Sequence, residues 1–181
     1  MKASDLRFDV CPKDQAVQLC RLWHSRLPNT QAGPWQFAFC AYAPNNAIVA
    51  VALWNNPSAR TLPGHWLELR RMACAPEAPK NTASRFLAWM ARFFAAGYRH
   101  REKLISYQDT AVHEGTIYKA AGWYVDFVSK ARVRDRSKNR AGTSRKYRAD
   151  INGMAPASSE KIRWAKDLPP PRRAPLAEGL L

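Results

Sequence analysis

Two apolar runs, WQFAFCAYA over residues 35–43 and AIVAVALW over residues 47–54, are separated only by Pro44, Asn45 and Asn46. Aromatic and β-branched residues suit a pleated, half-buried surface, and a Pro-Asn-Asn linker supplies turn chemistry, so the pair reads as an antiparallel hairpin. A hairpin this apolar needs cover on its faces, and the flanking segments must supply it.

Those segments carry the right periodicities. LRFDV (6–10) alternates as a short strand, and PKDQAVQLCRLWHSR places Ala16, Val17, Leu19, Cys20 and Trp23 at helical spacing, which predicts a helix over about 13–26. HWLELRRMACA (65–75) reads as a third long strand. The loop PEAPKN then leads into TASRFLAWMARFFAAG, where Phe86, Leu87, Met90, Phe93 and Phe94 share one stripe and Gly97 supplies the stop. KLISYQD (103–109) is a further buried strand, HEGTIYKAAGW a second helix, and YVDFVSKARV a last strand. The expected order β, α, β, β, β, α, β, α, β implies a mixed sheet with helices on its faces. After residue 130 the pattern decays into a basic polar stretch, a linker (NGMAPASSE) and a Pro-rich end, with KIRWAK (161–166) expected as an edge strand or a segment docked by Trp164. The expected organisation is a catalytic domain over 1–130, a basic nucleic-acid-binding extension over 131–168 and a flexible tail over 169–181.

A chain of 181 residues is enough for one packed domain. Its formal charge of +15 and pI of about 10.2 call for a polyanionic partner or a strongly solvated tail. The surplus is uneven: residues 129–181 hold 14 Lys and Arg against 5 Asp and Glu. Cysteines at 11, 20, 40 and 74 form no C-x-x-C pair, and the N-terminus lacks the apolar core of a signal peptide, so a reducing, cytoplasmic location is expected. No stretch approaches the roughly 20 apolar residues of a membrane span, which aims the positive charge at nucleic acid rather than lipid.

The succession LELRRMACAPEAPKNTASRFLAWMARFF, LISYQD and GTIYKAAGWY resembles the GNAT acyltransferase architecture, in which Tyr-x-x-x-Gly followed by an aromatic closes the acceptor site. More narrowly, WHS, ELRRMACAPEAPKNTAS, SYQDTAVHEGTIYKAAGWY and a late KIRW are similar to the Mom family of phage DNA adenine modification proteins. The resemblance spans about residues 20–128 plus the late motif. It implies a GNAT-like α/β (α+β) fold with a mixed, mostly antiparallel central sheet, flanking helices and a basic C-terminal extension. It also implies an enzyme that puts a carbamoylmethyl group on the exocyclic amine of adenine, masking phage DNA from restriction in the host bacterial cytoplasm.

Adenine's exocyclic nitrogen is a poor nucleophile because its lone pair is delocalised into the ring. An enzyme must orient it, take its proton as bonding develops and stabilise charge on the electrophile. Asp109 sits at the expected carboxyl end of a central strand, where side chains open into the crevice of an α/β sheet. Tyr118, nine residues on, can donate a proton or hydrogen bond from the following helix. His24 joins them through the family's WH position. His24 and Asp109 are also conceivable ligands of a divalent metal, although ligands scattered through the chain make no spacing signature. Duller roles stand beside each: Asp109 as a helix cap, Tyr118 as a core tyrosine, His24 as an exposed helical residue, and His113 as the start of the second helix rather than a substrate contact.

The entry to the long helix, APEAPKNTASR, contains no glycine, whereas GNAT enzymes resemble one another in a glycine-rich turn that cradles the pyrophosphate of coenzyme A. Lys80, Asn81, Thr82 and Ser84 still offer donors there. The carbamoylmethyl group has the atoms of a glycyl residue in another connectivity, so glycyl-tRNA is the expected donor and acetyl-CoA the second choice. For the acceptor, Arg70 and Arg71 leave the third long strand together. Arg132, Arg134, Arg136, Lys138, Arg140, Arg145, Lys146 and Arg148 follow in the basic segment as a clamp for double-stranded DNA, with Trp35, Trp54 or Trp123 available to stack on an extruded base. Two other classes fit the same residues: a coenzyme A-dependent N-acetyltransferase of a protein or small-molecule amine, and a non-catalytic basic DNA-binding protein.

Overall fold

The computed structural model describes residues 1–24, 30–31, 33–131 and 159–170. The hairpin forms as its composition dictates. β2 (Phe37–Tyr42) and β3 (Ile48–Asn55) pair antiparallel, and Asn46 takes the left-handed conformation, with a φ of 64°, that lets the short turn close without glycine. β1 (Arg7–Val10) pairs with β2, and β4 (Trp66–Cys74) with β3. β5 (Lys103–Asp109) runs parallel to β4, while β6 (Tyr124–Ser129) and β7 (Lys161–Asp167) complete a seven-stranded sheet in the order β1-β2-β3-β4-β5-β7-β6.

Helices cover the sheet unequally. α1 (Lys13–Trp23) lays Ala16, Val17 and Cys20 on one face against Ala38, Cys40, Val51, Leu53 and Ala73. α2 (Thr82–Gly97) lays Phe86, Leu87, Met90 and Phe94 on the other face, against Phe39, Ala52, Trp54, Leu67 and Leu104. Aromatic rings dominate this second core, with Phe94 edge-on to Phe37, Phe39 and Trp54 at centroid distances of 5.0–5.6 Å. α1 touches β2, β3 and β4, so its side of β5, β7 and β6 carries no helix among the described residues.

Three expectations change. The helix expected over 113–123 shrinks to α3 (Thr116–Ala120), because Gly115 holds a φ of 74° and cannot continue a helix backwards. α1 stops at Trp23, with His24 in extended backbone as its C-cap. The strand expected at the sheet edge over 161–166 is interior instead: β7 lies between β5 and β6 and pairs with both, leaving β6 at the edge. The charges of KIRWAK disguise an inner strand, whose Trp164 is 3% exposed. Lys161–Asp167, expected as the last part of the extension, is thus built into the main sheet.

Phe94 is fully buried at the meeting point of the hairpin and α2. Phe94→Ala is expected to cost about 3–5 kcal/mol of stability, read as a lowered midpoint in urea denaturation.

Candidate active site

Strand β4 carries one residue more than β3 needs. Leu53 faces Arg71 and Trp54 faces Leu69, so Arg70 is the extra residue of a β-bulge. A bulge bends its strand and reverses the side-chain alternation beyond it. Leu67 and Leu69 accordingly pack under α2, whereas Ala73 packs under α1 and Arg71 stands opposite Leu53 on that same side. The parallel pairing with β5 runs from Trp66↔Lys103 to Leu69↔Ser106 and ends there, immediately before the bulge. Past this point β4 and β5 separate, and the sheet opens into a fork.

Ser106 sits at the root of the fork. Its hydroxyl donates to the Leu69 carbonyl at 3.2 Å, so the Tyr118 hydroxyl, 2.9 Å away, donates to the serine oxygen. Tyr118 is 7% exposed, and burial raises its pKa above the ordinary phenol value while the Ser106 bond draws it back. The phenol therefore keeps its proton across the neutral range, as a donor must. Its ring stacks on Trp164 with centroids 5.4 Å apart and planes 10° from parallel.

Asp109, three residues after Ser106, points by strand alternation to the α1 side. Its carboxylate accepts hydrogen bonds from the backbone of Ala111 and the hydroxyl of Ser159. The turn that follows returns His113, whose backbone N–H donates to the Asp109 carbonyl at 3.0 Å. His24, at the end of α1, lies in the electrostatic reach of both Arg71 and His113. Burial first, then the Arg71 guanidinium and the His113 imidazole, pull its pKa down to about 4, so its imidazole is neutral at pH 7. The three expected catalytic residues therefore do not share one face as a convergent triad: Tyr118 with Ser106 stands on the α2 side of the fork, and Asp109 and His24 on the α1 side.

The expected donor residues gather at the start of α2. Asn81 supplies the left-handed turn, with a φ of 71°, that glycine would ordinarily provide, and its side chain caps no amide. Thr82 and Ser84 donate their hydroxyls backwards to the carbonyls of Pro79 and Asn81, at 2.6 and 3.1 Å. What remains for a ligand is the positive end of a 16-residue helix. A cavity of about 230 Å³ borders it, lined by Cys74, Ala75, Asn81, Thr82, Ser84 and by Thr116 and Ile117 of α3. Lys80 borders a neighbouring recess of about 400 Å³ with Lys2 and Arg85.

Other expected contacts are differently placed. Arg70 donates to the Asn56 carbonyl at 2.6 Å and lies 3.9 Å from Glu68, while Arg71 donates to the Arg70 carbonyl at 2.6 Å; both are tied to the protein rather than reaching outward. Arg132, Arg134, Arg136, Lys138, Arg140, Arg145, Lys146 and Arg148 lie outside the described residues. Trp54 and Trp123 are core residues that no base can reach, and only Trp35 is part-exposed. Among the described residues no three His, Cys, Asp or Glu side chains gather as a metal site, and no helix is long and apolar enough to cross a membrane. Ser106 and Gln108 escaped the sequence reading; their alternation with Leu104 on the face opposite Ile105 and Asp109 was the available signal.

Solved structures share this architecture. The acetyltransferase of Bacillus subtilis in complex with CoA matches with a TM-score of 0.60 at 12% identity, covering 90% of this chain and 99% of the other. The GNAT superfamily phosphinothricin acetyltransferase of Sinorhizobium meliloti in complex with AcCoA matches at 0.62 and 11% identity, covering 96% and 95%. The ribosomal-protein-S5-alanine acetyltransferase of Vibrio fischeri matches at 0.57 and 11%, covering 90% and 93%. The fold is that of the GNAT acetyltransferases. No curated protein sequence matches the chain. The family model described as the Mom protein family matches residues 5–167.

Between pH 6.5 and 4 the unfolded chain binds a proton at His24 that the folded chain refuses. Stability is therefore full above pH 6.5 and falls as the pH drops toward 4, by up to about 3 kcal/mol from this group. His24→Gln is expected to flatten that slope, measured by urea denaturation at pH 7 and pH 4.5. Gly115→Ala is expected to cost on the order of 1–3 kcal/mol, seen as a lower melting temperature, because it forces a positive φ on alanine.

Proposed function

This chain belongs to the Mom protein family, and on that footing we propose that it transfers a glycine-derived carbamoylmethyl, or related acyl, group to the exocyclic amine of adenine in double-stranded DNA. The observation that carries the proposal is the fork. Its two sides present different chemistry, with a proton donor, Tyr118, on the side of α2 and α3 and a carboxylate with a neutral imidazole on the face toward α1.

Donor and acceptor then approach from opposite sides. The acceptor amine enters from the α1 side. The Asp109 carboxylate, held in place by Ala111 and Ser159, takes the proton that the amine loses as the new bond forms. Neutral His24 orients the amine as a hydrogen-bond acceptor without adding charge, and Arg71 beside it favours an anionic substrate on this side. From the other side, the Tyr118 proton turns from the Ser106 oxygen to the carrier oxygen or sulfur as the new N–C bond forms and the donor's bond to its carrier breaks, and the carrier leaves with that proton; attack on a glycyl ester yields the acyl isomer, which has the same atoms as the carbamoylmethyl group.

The donor residues fit a phosphorylated carrier. Asn81 makes the turn, the α2 N-terminus faces the cavity, and Thr116 and Ile117 line its far wall. Coenzyme A would be held there by the backbone at the start of α2, over residues 81–84, and would supply an activated thioester when bound. The atom content of the transferred group favours glycyl-tRNA as the carrier, and Lys80 with the adjoining basic recess suits either polyanion. On the acceptor side the net charge of +15 supports DNA as partner.

The test is the mass of nucleosides from DNA of cells expressing the protein and grown with isotopically labelled glycine. A labelled adenine adduct is expected. Unmodified adenine would overturn the proposal, and an unlabelled acetyl adduct would assign a coenzyme A donor. Asp109→Ala is expected to lower modification by about 100-fold or more and Tyr118→Phe by at least about tenfold. DNA binding, read by fluorescence anisotropy, should stay within about twofold in both and fall steeply with salt.

A further inference from the structure

The late KIRW motif lies more than 40 residues beyond Tyr118 in sequence and has no part in the chemistry described so far. We propose that Trp164 is a positioning residue of this active site, holding the Tyr118 phenol against Ser106 by a stacked ring and by a hydrogen bond through Gln108. The inference rests on the reading of Tyr118 as the proton donor of the transfer.

Trp164 is the register partner of Ser106 across β5 and β7, so its indole rises from the sheet beside the serine and under the tyrosine ring. The indole N–H donates to the side-chain oxygen of Gln108 at 2.6 Å. Because an indole can only donate, this bond fixes which end of the amide faces it, and the amide NH2 is turned to the carbonyl of His113. His113 belongs to the turn that leads to Gly115. There the backbone passes so near that a Cβ would lie 2.5 Å from the Gln108 oxygen and 2.7 Å from the Trp164 ring. The Gly115 carbonyl in turn accepts from the Tyr118 backbone N–H at 3.1 Å. Trp164, Gln108, the 109–115 turn, Gly115 and Tyr118 therefore form a closed circuit of contacts.

The side chains that surround the phenol are buried: Ser106 is 3%, Gln108 4%, Trp164 3% and Tyr118 7% exposed. Buried polar groups whose partners are all present have one arrangement, and breaking any member leaves another unsatisfied. The circuit thus sets both the height of the Tyr118 ring, through the stack, and the turn from which α3 begins. Proton donation is steeply sensitive to such placement, since a misplacement of about 1 Å can cost on the order of 100-fold in rate. Trp164 also keeps water from one face of the phenol.

Full-length protein with Trp164→Leu loses the flat ring, while Trp164→Phe combined with Gln108→Met keeps a stack and removes both ends of the hydrogen bond. Two readouts are compared: steady-state DNA modification, and the titration of Tyr118 followed by NMR of [13Cζ]-tyrosine, its line identified by absence from Tyr118→Phe. In Trp164→Leu, kcat is expected to fall about 30-fold with both KM values within about twofold, and the Tyr118 titration to move down as water reaches the ring. The double variant should recover kcat to within about threefold of wild type, because the stack is kept and the indole and amide that satisfied each other are removed together, which leaves only the His113 carbonyl, on an exposed turn, to be met by water. A purely structural Trp164 would lower the melting temperature and leave kcat and the titration unchanged, which would overturn the proposal. If Trp164→Leu does not fold, Trp164→Phe alone decides: an unmoved Tyr118 line with wild-type kcat overturns it, and a shifted line with reduced kcat supports it. Wild-type protein that modifies no DNA would sink the functional reading instead, and the NMR titration would still decide whether Trp164 governs Tyr118.

Discussion

The last rung between β4 and β5, Leu69↔Ser106, is the constraint on which the rest of the structure depends. A parallel pair of this kind would ordinarily continue to the end of the shorter strand. The bulge at Arg70 turns β4 away one residue after the rung, and the Leu69 carbonyl at the split accepts the hydroxyl of Ser106. The sheet can open here because that acceptor is satisfied by a side chain. The same hydroxyl receives Tyr118, so the group that closes the pairing also anchors the proton donor.

The bulge has a second effect, on charge. Without it, Arg71 would share the face of Leu67 and Leu69 and would have to be buried under α2. With it, Arg71 stands on the α1 side, close enough to His24 to help keep that imidazole neutral. One inserted residue therefore divides the chemistry of the fork, leaving a cation and a neutral histidine on one side and a protonated phenol on the other.

Connectivity reinforces this division. Residues 132–158 connect β6 to β7, and the chain re-enters the described structure at Ser159, whose hydroxyl meets Asp109 while the Glu160 carbonyl accepts from Thr110. β7 then carries Trp164 under Tyr118 on the opposite face.

Local pattern in the sequence determined most of the fold. The hairpin over 35–54, the α2 stripe ending at Gly97 and the strands ending at Cys74 and Asp109 are legible because each depends on neighbours a few residues away. So were Asp109 and Tyr118 as candidates, through strand end and motif. Tertiary structure alone decided that KIRWAK is an inner strand, that Asn81 makes a turn without glycine, that Trp54 and Trp123 are core, and that Asp109 and Tyr118 occupy opposite sides of a fork. The physical reason is that these outcomes depend on register between distant strands: a bulge at Arg70 moves side chains to the other face, and nothing within β4 itself announces which residue will be the extra one.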